Sequence, residues 1–127
     1  MPRIRKKRLL PIKSLSSENN ENKKIVHEDG SYYIGQIKNG LPDGKGKDYY
    51  CDGKVKYEGD FIEGKREGNG KIYFSDGNYY IGEWKNNLQH GNGTLYDKNG
   101  IIIQKGYFRN GFYDVLENSG LFPDLLN

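Results

Sequence analysis

Few residues in this 127-residue chain could do covalent or acid–base chemistry together. His27 and His90 lie in different parts of the chain and Cys51 stands alone, so no acid–base pair, zinc-binding thiolate set or intramolecular disulfide emerges. Gly44-Lys45-Gly46, Gly68-Asn69-Gly70 and Gly91-Asn92-Gly93 have the look of phosphate loops. Each lacks the third glycine of a dinucleotide fingerprint and leads into a strand, not a helix. Asp29, Asp52 and Asp76, each before a glycine, are explained by turn geometry. The expectation is therefore a protein that is not an enzyme and uses no metal or cofactor. The side chains that stand out are those of binding: 11 Tyr, 5 Phe and Trp84 in the chain, and a basic start.

The elements that would position them follow from glycine. Gly35, Gly40, Gly44, Gly46 and Gly53 recur with the same offsets as Gly59, Gly64, Gly68, Gly70 and Gly77. Gly82, Gly91, Gly93 and Gly100 hold the frame with Asn87 in the second slot, and Gly106 and Gly111 begin it again. Steps of 24, 23 and 24 residues between Gly35, Gly59, Gly82 and Gly106 mark stacked repeats. Asn at position 87 implies that the second slot is a turn needing positive φ. Asp-Gly or Asn-Gly at 29–30, 52–53, 76–77 and 99–100 is the strongest short-range hairpin signal. Between turns Tyr57, Gly59 and Phe61 share one strand face, as do Tyr80, Gly82 and Trp84, so each unit is two antiparallel strands.

Three regions follow. Residues 1–23 read as a disordered basic arm, because the first 13 residues hold six basic side chains and no acid, followed by a stretch rich in Ser and Asn. Residues 24–111 form the sheet, starting with the strand Lys24–Gly30, running through three full units and ending on a strand from Ile101 to about Arg109. Residues 112–127 cap the exposed end or dock a partner through Leu121, Phe122, Leu125 and Leu126. Absence of alanine argues against helices in the body, and Cys51 reads as a strand residue. Outside the first 13 residues the chain carries 14 basic against 17 acidic residues, so nucleic acid is not expected as a partner. No apolar run approaches the roughly 18 residues of a membrane span. The chain reads as intracellular and cytoplasmic, with organelle targeting by the basic start as the alternative.

With Tyr-x-Gly-x-aromatic, then Gly, then Gly-x-Gly, then Asp-Gly, the units resemble the MORN repeat (membrane occupation and recognition nexus). The resemblance falls on Tyr33, Gly35, Gly40, Gly44 and Gly46, on Tyr57, Gly59, Phe61, Gly64, Gly68 and Gly70, and on Tyr80, Gly82, Trp84, Gly91 and Gly93. Ile37 replaces the first aromatic, Asn87 a glycine and Gln104 the fourth tyrosine. It implies an all-β, elongated, single-layer antiparallel meander of stacked hairpins. It also implies adaptor roles, as in junctophilins and radial-spoke proteins: protein docking, self-association or membrane contact within a cytoskeletal, ciliary or membrane-linked assembly.

The functional expectation is a scaffold or adaptor subunit whose aromatic strip, Tyr33, Tyr57, Phe61, Tyr80 and Trp84, stays partly accessible to a protein partner or a second copy. The alternative is a membrane tether in which Arg3, Arg5, Lys6, Lys7 and Arg8, with the repeats, bind anionic lipid headgroups. Those basic residues suit an acidic protein partner equally, or a merely solubilising tail.

Overall fold

Two kinds of turn alternate along the chain and set the architecture. At Asn39-Gly40, Glu63-Gly64, Asn86-Asn87 and Asn110-Gly111 both residues have positive φ, 50 and 73° in the third. This is the two-residue type I′ hairpin, whose twist matches that of the strands it joins. At Asp29-Gly30, Asp52-Gly53, Asp76-Gly77 and Asn99-Gly100 only the glycine is left-handed. Those loops are wider. The His27 N–H donates to Ser31 O at 2.9 Å and the Gly30 N–H to His27 O at 3.0 Å, while Asp29 Oδ1 accepts from the Ser31 N–H at 2.9 Å. Both slots turn the chain, but the tight turns lie at the frame's second glycine and not at Asp-Gly. Cys51 sits in the second wide loop, exposed, instead of in a strand.

The computed structural model describes residues 22–120. They form one nine-stranded antiparallel sheet in chain order: β1 (Lys23–Val26), β2 (Tyr32–Lys38), β3 (Leu41–Tyr49), β4 (Val55–Ile62), β5 (Lys65–Tyr73), β6 (Tyr79–Lys85), β7 (Leu88–Tyr96), β8 (Ile102–Arg109) and β9 (Phe112–Tyr113). A short helix, α1 (Val115–Ser119), follows. The all-β meander is as expected from the repeat. Lys23 belongs to β1, paired with Gly35, and not to the arm. The sheet also continues past Arg109 into β9.

Register makes the frame continuous. Gly35, Gly46, Gly59, Gly70, Gly82, Gly93 and Gly106 pair in succession from β2 to β8, a glycine row crossing the sheet. The uneven repeat period has its cause in the same ladders. Between β3 and β4 the pairing passes over Lys56, and between β7 and β8 over Ile103. Between β5 and β6 it runs without a shift. Each 24-residue step therefore contains one extra bulged residue that the 23-residue step lacks.

All glycines of the row project to one face, and there the core lies: Tyr33, Tyr57, Phe61, Ile72, Tyr80, Trp84 and Phe108. Inward and outward residues otherwise alternate along each strand.

Candidate interaction surface

The five residues of the expected strip do come together on this face. Their accessibility, however, is corrected by the structure: Tyr33 and Tyr57 are 0% exposed, Tyr80 1%, Phe61 3% and Trp84 4%. A one-layer sheet buries them by stacking rings edge to face. Tyr33 meets Phe61 with centroids 5.0 Å apart at 83°, and Phe61 meets Tyr57 at 5.1 Å and 81°. Tyr57 meets Trp84 at 5.1 Å and 85°, and Trp84 meets Tyr80 at 5.5 Å and 88°. Tyr80 meets Phe108, and Phe108 meets Tyr113. Quadrupoles favour these T-shaped contacts, and each ring screens the next from water.

Glycine makes room for them. A Cβ at Gly46 would strike the Tyr33 ring, one at Gly70 the Tyr57 ring and one at Gly93 the Tyr80 ring. Each tyrosine therefore lies flat over a cross-strand glycine pair. Its hydroxyl donates to the carbonyl three residues on: Tyr33 to Gln36 O at 2.6 Å, Tyr57 to Asp60 O and Tyr80 to Glu83 O, both at 2.9 Å. Those acceptors sit where the β2–β3, β4–β5 and β6–β7 ladders slip. Their side chains turn back to accept the N–H of Lys45, Asn69 and Asn92. The bulge is thus closed on both sides. Burial, then nearby carboxylates, pushes the Tyr33 and Tyr80 phenols up to about 12 and raises Tyr57 further.

One charged pair interrupts the apolar face. Arg66 lies over the Tyr57 and Trp84 rings, 5.2 and 5.5 Å from their centroids, with Nη2 3.7 Å from Asp48 Oδ2. Burial raises the Asp48 carboxyl against the opposing pull of Arg66. Ile72 and Leu95 occupy the corresponding places further along.

The opposite face carries the aromatic surface that remains available. Tyr32 stacks on Tyr49 with centroids 4.7 Å apart at 13°, and Tyr79 on Tyr96 at 4.8 Å and 19°, with Tyr73 beside Tyr79 at 6.0 Å. All five are half-exposed. Lys24 lies 4.6 Å over Tyr32, and Lys71 lies 4.5 and 4.7 Å from Tyr73 and Tyr79. Ile62 and Ile81 are exposed on the same face. Sequence reasoning followed one strand face and missed these residues. The doublets Tyr32-Tyr33 and Tyr79-Tyr80 carry the signal, since strand alternation sends one member to each side.

Arg3, Arg5, Lys6, Lys7 and Arg8 lie outside the described residues, as do Leu121, Phe122, Leu125 and Leu126. Among the described residues no group of three or more His, Cys, Asp and Glu side chains could hold a metal ion. None of the described helices is long and apolar enough to cross a membrane.

The MORN repeat model matches the chain three times, at residues 33–55, 57–79 and 80–102, together more than half of its length. The chain belongs to the MORN-repeat family. Each match opens at a strip tyrosine, so in this chain each matched stretch begins with a buried ring that lies over a glycine pair. MORN repeats are generally modules of protein or membrane interaction. The search of curated proteins returned no match.

Proposed function

We propose that this MORN-repeat chain is a non-catalytic scaffold or adaptor subunit that holds a protein partner on its outer face. The observation that carries this reading is the half-exposed tyrosine ladder, Tyr32 with Tyr49 and Tyr73 with Tyr79 and Tyr96, on a sheet face that no second layer among the described residues covers. The ring row is the rigid support beneath it. Partly exposed aromatic groups on a stiff scaffold lose little conformational entropy when bound, which suits them to anchor a partner.

The test is recovery of the partner with tagged full-length protein from the native source, compared with a Tyr32→Ala/Tyr79→Ala variant. The variant should unfold close to the parent temperature yet lose the partner. Full retention by a folded variant would end this reading.

A second reading draws support from Lys24 and Lys71, whose ammonium groups lie over ladder tyrosines. A lysine and tyrosine face suits anionic lipid headgroups. Vesicles containing phosphatidylserine should then bind the protein with steep salt dependence, and binding should fall in Lys24→Glu/Lys71→Glu. Salt-independent binding, or none, leaves the protein partner as the occupant.

A further inference from the structure

The two ends of the sheet are finished differently. At the β8 end the Tyr107 N–H donates to Asn118 Oδ1 at 2.7 Å and Asn118 Nδ2 donates to Tyr107 O at 2.8 Å, so one side-chain amide takes the place of a further strand. The helix carrying Asn118 is held by Asp114, whose carboxylate accepts the Glu117 N–H at 3.0 Å and pairs with Arg109 at 2.8 Å. A Cβ at Gly106 would strike Asn118, so the cap is fitted to the glycine row itself.

No such device closes β1 among the described residues; its only neighbour is β2. The register Lys23↔Gly35, Ile25↔Tyr33, extended by the bond from His27 N–H to Ser31 O, turns the odd-numbered residues toward β2. The N–H and C=O of Lys24 and Val26 therefore point away from the sheet, and Val26 is 65% exposed. Proteins blunt or cover strand edges as a rule, and an edge left with unpaired donors and acceptors is a template for another strand.

We infer that the edge of β1 takes an extended segment of a partner protein as an added strand, acidic opposite Lys23 and Lys24 and β-branched opposite Ile25 and Val26. Charge decides among occupants. A second copy would bring another Lys23 and Lys24, like charge to like charge, whereas an acidic segment is attracted by both lysines. The edge meets the outer-face ladder at Lys24, which lies over Tyr32, but does not use the ladder's rings.

The probe is a fluorescent capped peptide, Thr-Val-Val-Glu-Glu-Thr, titrated with the full chain by anisotropy. An equally charged control has proline at its third position. The first peptide should bind and the control should not. Val26→Pro, which removes an outward N–H, should weaken binding by about tenfold or more while thermal unfolding stays near the parent value. Lys23→Glu/Lys24→Glu should lose this peptide and gain one in which both Glu are Lys. Three results overturn the inference: Val26→Pro binds as well as the parent; the free protein is a dimer that Val26→Pro dissociates; or the Lys24 and Val26 amides are already strongly protected from hydrogen exchange in the free monomer.

Discussion

Tyr32 and Tyr33 are neighbours in the chain, as are Tyr79 and Tyr80, yet within each pair one ring is half-exposed and the other is sealed. On the outer face the rings stand stacked in parallel pairs with lysines above them. On the ring face each tyrosine lies flat on two glycines, donates its hydroxyl to a bulge carbonyl and is covered by an aromatic residue two strands away. The comparison teaches that a single-layer sheet can build a core without a second layer. Removing side chains from the row beneath the ring supplies the space that a facing layer would otherwise have to enclose.

The largest test of this contrast is Gly82→Val against Ile81→Val. At Gly82 a Cβ would meet Gly93, the Asn92 carbonyl and the Tyr80 hydroxyl, and overpacking of this kind costs about 2 to 3 kcal/mol. Ile81, one residue away on the outer face, should change stability by less than about 0.5 kcal/mol. Equal losses in urea unfolding would dissolve the distinction between the faces.

Next comes the hydroxyl. Tyr57→Phe leaves the Asp60 carbonyl without its donor beneath a covered ring and should cost about 1 to 2 kcal/mol. Tyr79→Phe keeps its stack on Tyr96 and should cost close to nothing. The double-variant sum, read from denaturant midpoints at constant slope, shows whether the effects stay on separate faces.

The buried phenols also sharpen the comparison through pH. Tyr33 and Tyr80 titrate near 12 in the folded chain against an ordinary value of 10, and Tyr57 higher. A folded value raised above the unfolded one favours the neutral form, so this stabilisation is complete below pH 10 and is lost as pH rises through 12. Absorbance at the tyrosinate band should therefore show a late group that ionises together with loss of the sheet. Ionisation of all tyrosines in one early step, with the fold intact, would contradict the sealed row.

The smallest effects lie in the tight turns. Glu63 holds a φ of 49° where three other turns use Asn, so Glu63→Asn should stabilise by about 0.5 to 1 kcal/mol. At Asn87, replacement by the frame's usual glycine would be neutral or favourable on backbone grounds alone. The structure reverses that expectation, because Asn87 Oδ1 accepts the Arg66 N–H at 2.9 Å from the preceding hairpin. Asn87→Gly should cost about 0.5 to 1 kcal/mol in thermal unfolding.

What the sequence determined by itself was everything local. Glycines at fixed offsets, Asn in the second slot and alternation around Tyr57 and Tyr80 define strands, turns and a meander, because positive φ and two-residue periodicity constrain the backbone wherever they occur. Even the family was legible there, since its signature is that same frame. Tertiary structure decided which of two adjacent tyrosines is core, where the bulges at Lys56 and Ile103 absorb the uneven period, and how Asn118 closes β8. Alternation says which residues share a face and nothing about which face is covered. Coverage depends on register between strands and on rings meeting across them, and those relations exist only once the hairpins are stacked.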